Sequence, residues 1–208
     1  MKRVIYDRHF FSHELARSQG IEGAILLRFL TDESKRQQYL NGPRCLMTIA
    51  KIHRHLPYLS KQKIETTVAE LERKGAITIG HVNTNAAPPP SSYTVLEPFA
   101  VAANRHSIRF DVDVAVKMGL AAGIVIEELR YRVTWDMKKN PQPYVTDTFR
   151  KLSSLVPYTE ADLAKSLESL KAARLIIPHP TRGHRYRLPT TDFTVIAFAH
   201  RRMGTQSK

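Results

Sequence analysis

Residues in the second half of this chain reproduce the character of residues in the first at an offset of 99 positions. Self-similarity at a fixed period is the signature of one structural unit used more than once. Gly20-Ile21-Glu22-Gly23-Ala24-Ile25-Leu26-Leu27 lies over Gly119-Leu120-Ala121-Ala122-Gly123-Ile124-Val125-Ile126, with Phe11 and Leu15 facing Phe110 and Val114 upstream. Further on, Thr48-Ile49-x-Lys51-Ile52-x-x-x-Leu56-Pro57-Tyr58 faces Thr148-Phe149-x-Lys151-Leu152-x-x-x-Val156-Pro157-Tyr158 at an offset of 100. One deletion restores the offset, so Ile64, Val68, Leu71 and Ile77 face Leu163, Leu167, Leu170 and Ile176. Two domains of about 100 residues each follow, taken as 1–97 and 105–208, with the link in Glu97 to His106.

In the first copy, Ile21, Ala24, Ile25, Leu27 and Leu30 have the spacing of a buried helix. Asn41-Gly42-Pro43 breaks it, Cys45-Leu46-Met47 reads as a short strand, and Thr48 caps a helix carrying Ile49, Ile52 and Leu56. Pro57 ends that helix, because the residue before a proline is disfavoured from helical geometry. Ser60 caps a third helix striped by Ile64, Val68 and Leu71 and closed at Lys74-Gly75. Ala76–Ile79 and Tyr93–Leu96 then read as strands around a loop from His81 to Ser92.

The second copy repeats the order with helices near Leu120–Tyr131, Thr148–Leu155 and Glu160–Ala173, then strands near Leu175–Pro178 and Arg185–Leu188. The expected fold class is therefore α+β, mainly α with small β wings: tandem winged helix-turn-helix domains from an internal duplication. The final segment, 190–208, is apolar and then basic, and reads equally as helix or strand.

Charge narrows the partner. The chain carries 32 Lys+Arg against 19 Asp+Glu, a net charge of +13. The excess is shared between the halves, with 14 against 9 in residues 1–104 and 18 against 10 in residues 105–208. Folded, cationic surfaces facing a polyanion are expected, not a basic tail. A lone cysteine, Cys45, excludes an internal disulfide and a cysteine-built zinc cluster. Lys2, Arg3, Asp7 and Arg8 interrupt any apolar signal-peptide core at the start, and no apolar window reaches bilayer length. A cytoplasmic protein with no membrane partner is expected.

The Gly20–Leu27 run, Thr48 to Leu59, and Ser60 to Ile77 resemble the winged-helix part of phage and plasmid replication initiators, replisome organisers included. There a glycine-led apolar helix precedes a proline-aromatic-x-serine turn and a helix ending in leucine-glutamate-x-lysine-glycine. Leu71-Glu72-Arg73-Lys74-Gly75-Ala76-Ile77 supplies that ending; Leu170-Lys171-Ala172-Ala173-Arg174-Leu175-Ile176 lacks the glutamate and the glycine. The resemblance implies DNA binding in replication initiation, double-stranded DNA and replication proteins as partners, and a homodimer through one domain. The alternatives are a transcriptional regulator on an operator and a winged-helix scaffold that binds protein, the latter disfavoured by the charge.

A helix-turn-helix lays the leading part of its second helix in the major groove. Opposite the Ile64, Val68, Leu71 stripe stand Gln62, Lys63, Thr66, Ala69, Glu70 and Arg73. Of these, Gln62, Lys63, Thr66 and Arg73, with Lys51, Arg54, Lys61 and Lys74, form the expected DNA surface, Gln62 suited to an adenine edge and Lys63 to guanine or phosphate. In the second copy Ala161, Asp162, Lys165, Glu168, Ser169 and Ala172 project outward, and Thr159 with Asp162 reads as a capping box. Its cations lie instead on the wing at Arg182, His184, Arg185 and Arg187, and near Lys138, Lys139, Arg150 and Lys151. The first domain is thus expected to read the groove. The second is expected to use its wing on the backbone or its helix on protein.

His53 with His55 and His9 with His13 have no carboxylate or cysteine set to complete a metal site, so no metal is expected. There is no Walker loop and no GxGxxG, and Asp111, Asp113, Glu127 and Glu128 suit capping and solvation. No catalytic centre and no cofactor are expected. Tyr131 and Trp135 are expected to pack rather than stack on bases.

Overall fold

A computed structural model of the chain describes residues 8–42, 44–82, 88–105, 107–136, 145–146, 152–182 and 185–189. It is an α+β protein of helices with small antiparallel sheets, and it divides into two compact units. The first comprises Phe10–Ile108 with Ser154–Pro157, the second Arg109–Ser153, Tyr158–Lys208 and Met1–His9. Strands β1 (Arg8–Ser12) and β5 (Ser107–Asp111) carry the division.

The first unit is built around α1, His13–Asn41. Ser12 caps it, and Gly20 breaks its helical path with φ 79° and ψ 163°, a left-hand-side conformation that side chains with a Cβ resist. Beyond that break Ile25, Leu26, Leu27 and Leu30 are fully buried, and each such side chain contributes about 1.5–3 kcal/mol. They are enclosed because α1 packs against α3 (Lys61–Arg73), α4 (Glu97–Ala103), β2 (Cys45–Met47) and β4 (Ser91–Val95). Helix α2 spans Ile49–His55, and β3, Ile77–His81, forms a hairpin with β4. Strand order is β2-β4-β3, all antiparallel, with Cys45 opposite Tyr93 and Ile77 opposite Val95.

In the second unit Asp111 caps α5, Val112–Met118, through Val114 N. Gly119, at φ 93° and ψ 160°, separates α5 from α6, Leu120–Asp136. Helix α6 packs on α5, on β6 (Val145–Thr146) and on α7 (Glu160–Ala172). Strands β7 (Ile177–Pro178) and β8 (Arg185–Arg187) complete a sheet of order β6-β8-β7, again antiparallel. At Gly123 an added Cβ would sit 2.7 Å from the Asp111 carbonyl oxygen, so α5 and α6 approach at a distance only glycine permits.

Two features depart from the sequence reading, and a third, the glycine-free end of α7, agrees with it. The stretch expected to link the halves contains α4, whose proline-containing first turn suits helix initiation. Arg28 on α1 donates to the Ala103 carbonyl at 3.2 Å, fixing the end of α4. Helix α6 runs past Tyr131, which lies within it and is 59% exposed rather than packed, because it falls on the side away from Ile126, Leu129 and Val133. Helix α7 closes without glycine: Arg174 itself takes φ 56°, and Leu175 N donates to Leu170 O at 3.0 Å as Ala76 N donates to Leu71 O at 2.8 Å. Among the described residues no helix is long and apolar enough to cross a membrane. Segment 190–208 lies outside the described residues.

Candidate nucleic-acid interface

The α2–α3 pair is held by its turn. Leu56 and Leu59 are buried, Leu59 N donates to Leu56 O at 3.0 Å, and His53 Nδ1 donates to the Leu59 carbonyl at 2.8 Å. A carbonyl accepts, so that nitrogen carries the proton and is not available as a metal ligand. Ser60 accepts from Lys63 N at 3.1 Å and so caps α3. Ile64, Val68 and Leu71 are buried against the unit, which turns the opposite side of α3 to solvent.

On that side Gln62, Lys63, Thr66, Ala69, Glu70 and Arg73 are all exposed; Lys61 and Lys74 at the two ends of α3 are exposed as well, and so are Lys51 and Arg54 of α2. Their chemistry is not uniform. Lys61 and Gln62 have no side-chain partner among the described residues. Thr66 donates its hydroxyl to its own helix, 3.0 Å from the carbonyls of Gln62 and of Lys63. Lys63 Nζ lies 3.4 Å from Glu22 Oε1 on α1. Glu22 was not among the residues singled out, although a carboxylate standing alone in the apolar run Gly20–Leu27 is a visible signal.

The chain matches no protein-family model and no curated protein.

In the second unit the outward side of α7 holds Ala161, Asp162, Lys165, Glu168, Ser169 and Ala172, all exposed. The capping box is present: Asp162 N donates to Thr159 Oγ1 at 3.1 Å and Thr159 N donates to Asp162 Oδ2 at 3.0 Å. Hydrogen bonds from the Thr159 hydroxyl and backbone hold the Asp162 carboxyl below its ordinary range. It therefore stays charged at the leading end of α7, where it complements the helix dipole.

Arg185 and Arg187 alternate with buried Tyr186 on β8, so both side chains leave the same side of the sheet, half-buried. Arg182 is exposed in the turn that Arg185 N closes on the Arg182 carbonyl at 2.9 Å. Arg150, Lys151, His184, Lys138 and Lys139 lie outside the described residues.

The second unit also buries charge. Arg130 is 3% exposed and pairs with Asp111 and, at 3.3 Å, with Glu127; Arg8 lies 2.7 Å from the other oxygen of Glu127. At the offset of 99, Asp111 and Arg130 fall on Ser12 and Thr31, which are buried hydroxyls satisfied by Leu15 N and the Leu27 carbonyl. These buried groups belong to packing, not to a surface for a ligand. No group of three or more His, Cys, Asp or Glu arranged to hold a metal occurs among the described residues.

Proposed function

We propose that the chain is a double-stranded-DNA-binding protein of two winged-helix units, arisen by duplication, and that the first unit docks the duplex. Carrying this reading is the α2–turn–α3 pair with Lys61 and Gln62, unpartnered among the described residues, at the leading end of α3, followed by the β3–β4 hairpin beside β2. That geometry lets the first turn of α3 enter a major groove while Lys51, Arg54, Arg73 and Lys74 face phosphates. Support for two units of one kind comes from matched features: strand orders β2-β4-β3 and β6-β8-β7, glycine breaks at Gly20 and Gly119, and identical bonding at the ends of α3 and α7.

The units differ in charge where they would meet DNA. Glu160 and Asp162 lead α7 where Lys61 leads α3. A carboxylate-led helix suits protein, and the cations Arg182, Arg185 and Arg187 suit the backbone. The resemblance to replication initiators supports reading the activity as the replication of a phage or plasmid, with replication proteins as further partners, a homodimer as the assembly and the cytoplasm as the compartment.

Duplex binding of the full chain, followed by fluorescence anisotropy, tests the assignment. Replacing Lys61 and Gln62 together with alanine is expected to weaken binding at least tenfold. Replacing Lys165 and Ser169 is expected to change it less than twofold, and equal effects would overturn the division of roles.

A further inference from the structure

Lys63 is the cation on the first turn of α3 that has a carboxylate partner, and that partner comes from another helix. Glu22 of α1 presents Oε1 3.4 Å from Lys63 Nζ, with the Glu22 side chain 31% exposed and that of Lys63 51% exposed. The pair therefore stands at the surface, on the turn of α3 that also carries Lys61 and Gln62. At the offset of 99 its two positions hold Ala121 and Asp162, so the second unit has no such pair and uses Asp162 for its cap.

We propose that Glu22 is a positioning residue of the duplex-binding surface: it holds Lys63 away from the phosphates. This inference rests on the duplex-binding reading above. Sequence-independent affinity grows with each phosphate neutralised, and each adds about 0.9 to the slope of log affinity against log salt. A cation engaged by an internal carboxylate contributes little to that sum. The first unit consequently grips DNA by one contact fewer than its lysines allow, which limits capture by bulk sequence while Gln62 remains open to a base edge.

The test is a double-mutant cycle on the full chain with a random-sequence duplex, using Glu22→Gln, Lys63→Ala and the pair together. Glu22→Gln is expected to tighten binding about three- to tenfold near 0.1 M salt and to steepen the salt slope by about 0.9. Lys63→Ala is expected to lie within twofold of wild type, and the double variant to bind no tighter than Lys63→Ala. An unchanged slope in Glu22→Gln would overturn the proposal, as would a gain that survives in the Lys63→Ala background, since that gain would come from net charge alone. A wild-type chain indifferent to duplex would overturn the binding reading itself and this inference with it, and is recognised by its absence of binding in every variant. Thermal unfolding of each variant, expected to match wild type for side chains this exposed, separates these outcomes from loss of fold.

Discussion

At single residues, backbone conformation and close approach decide what is tolerated. Arg174 occupies a left-handed φ of 56° that costs an L-residue roughly 1–2 kcal/mol and glycine little. Arg174→Gly is therefore expected to stabilise the chain by about 1 kcal/mol, read as a higher urea midpoint. Gly123→Ala is expected to do the reverse by about 1–3 kcal/mol, since its Cβ would meet the Asp111 carbonyl at 2.7 Å. The Gly123 constraint could not be read from an apolar run, because it arises from a helix that the run itself does not contain. Cys45 adds a pH dependence: burial, and then Glu33, push its thiol up to about 12 from 9.0. The folded state keeps that proton where the unfolded chain has lost it, so stability is held below pH 9 and falls as pH rises toward 12. Urea midpoints at pH 7 and pH 10.5 are expected to separate less in Cys45→Ala than in wild type; equal separation would remove Cys45 as a cause.

Elements were legible wherever caps and apolar stripes coincide. Ser60 and the Ile64, Val68, Leu71 stripe define α3, and Thr159 with Leu163, Leu167 and Leu170 define α7. Helix α4 was not legible, since Ala-rich sequence beside a proline reads as readily as a link, and its packing on α1 settles the matter. The box at α7 makes that helix acid-sensitive in a defined sense. The Asp162 carboxyl lies below its ordinary value in the folded chain, so its contribution is present above that value and lost as pH falls through the folded one. Hydrogen-exchange protection factors along α7, corrected for the intrinsic pH dependence of exchange, are expected to fall on acidification in wild type and to stay unchanged in Asp162→Asn. Burial of Arg130 on α6 works through opposite logic. Arg130→Met leaves Asp111 and Glu127 buried without their shared cation, and a loss of about 3–5 kcal/mol is expected by denaturant unfolding.

For the whole molecule, the +13 charge is the quantity on which the proposed duplex binding depends. Affinity for a random duplex is expected to fall steeply from 50 to 200 mM salt, with a slope of at least about −4 if five or more cations of the first unit engage phosphates; a flat response would exclude the polyanion reading. The amino-acid order by itself determined the succession of helices and strands in the first unit, the caps at Thr48, Ser60 and Thr159, and the exposed sides of α3 and α7, because periodicity and capping are local properties of the chain. Tertiary structure decided which of those exposed cations meets a carboxylate. Lys61 and Lys63 are indistinguishable as letters two places apart, and only the packing of α1 beside α3 sets Glu22 against one of them. Charge pairing acts through space, and residues 22 and 63 become neighbours only in the folded unit.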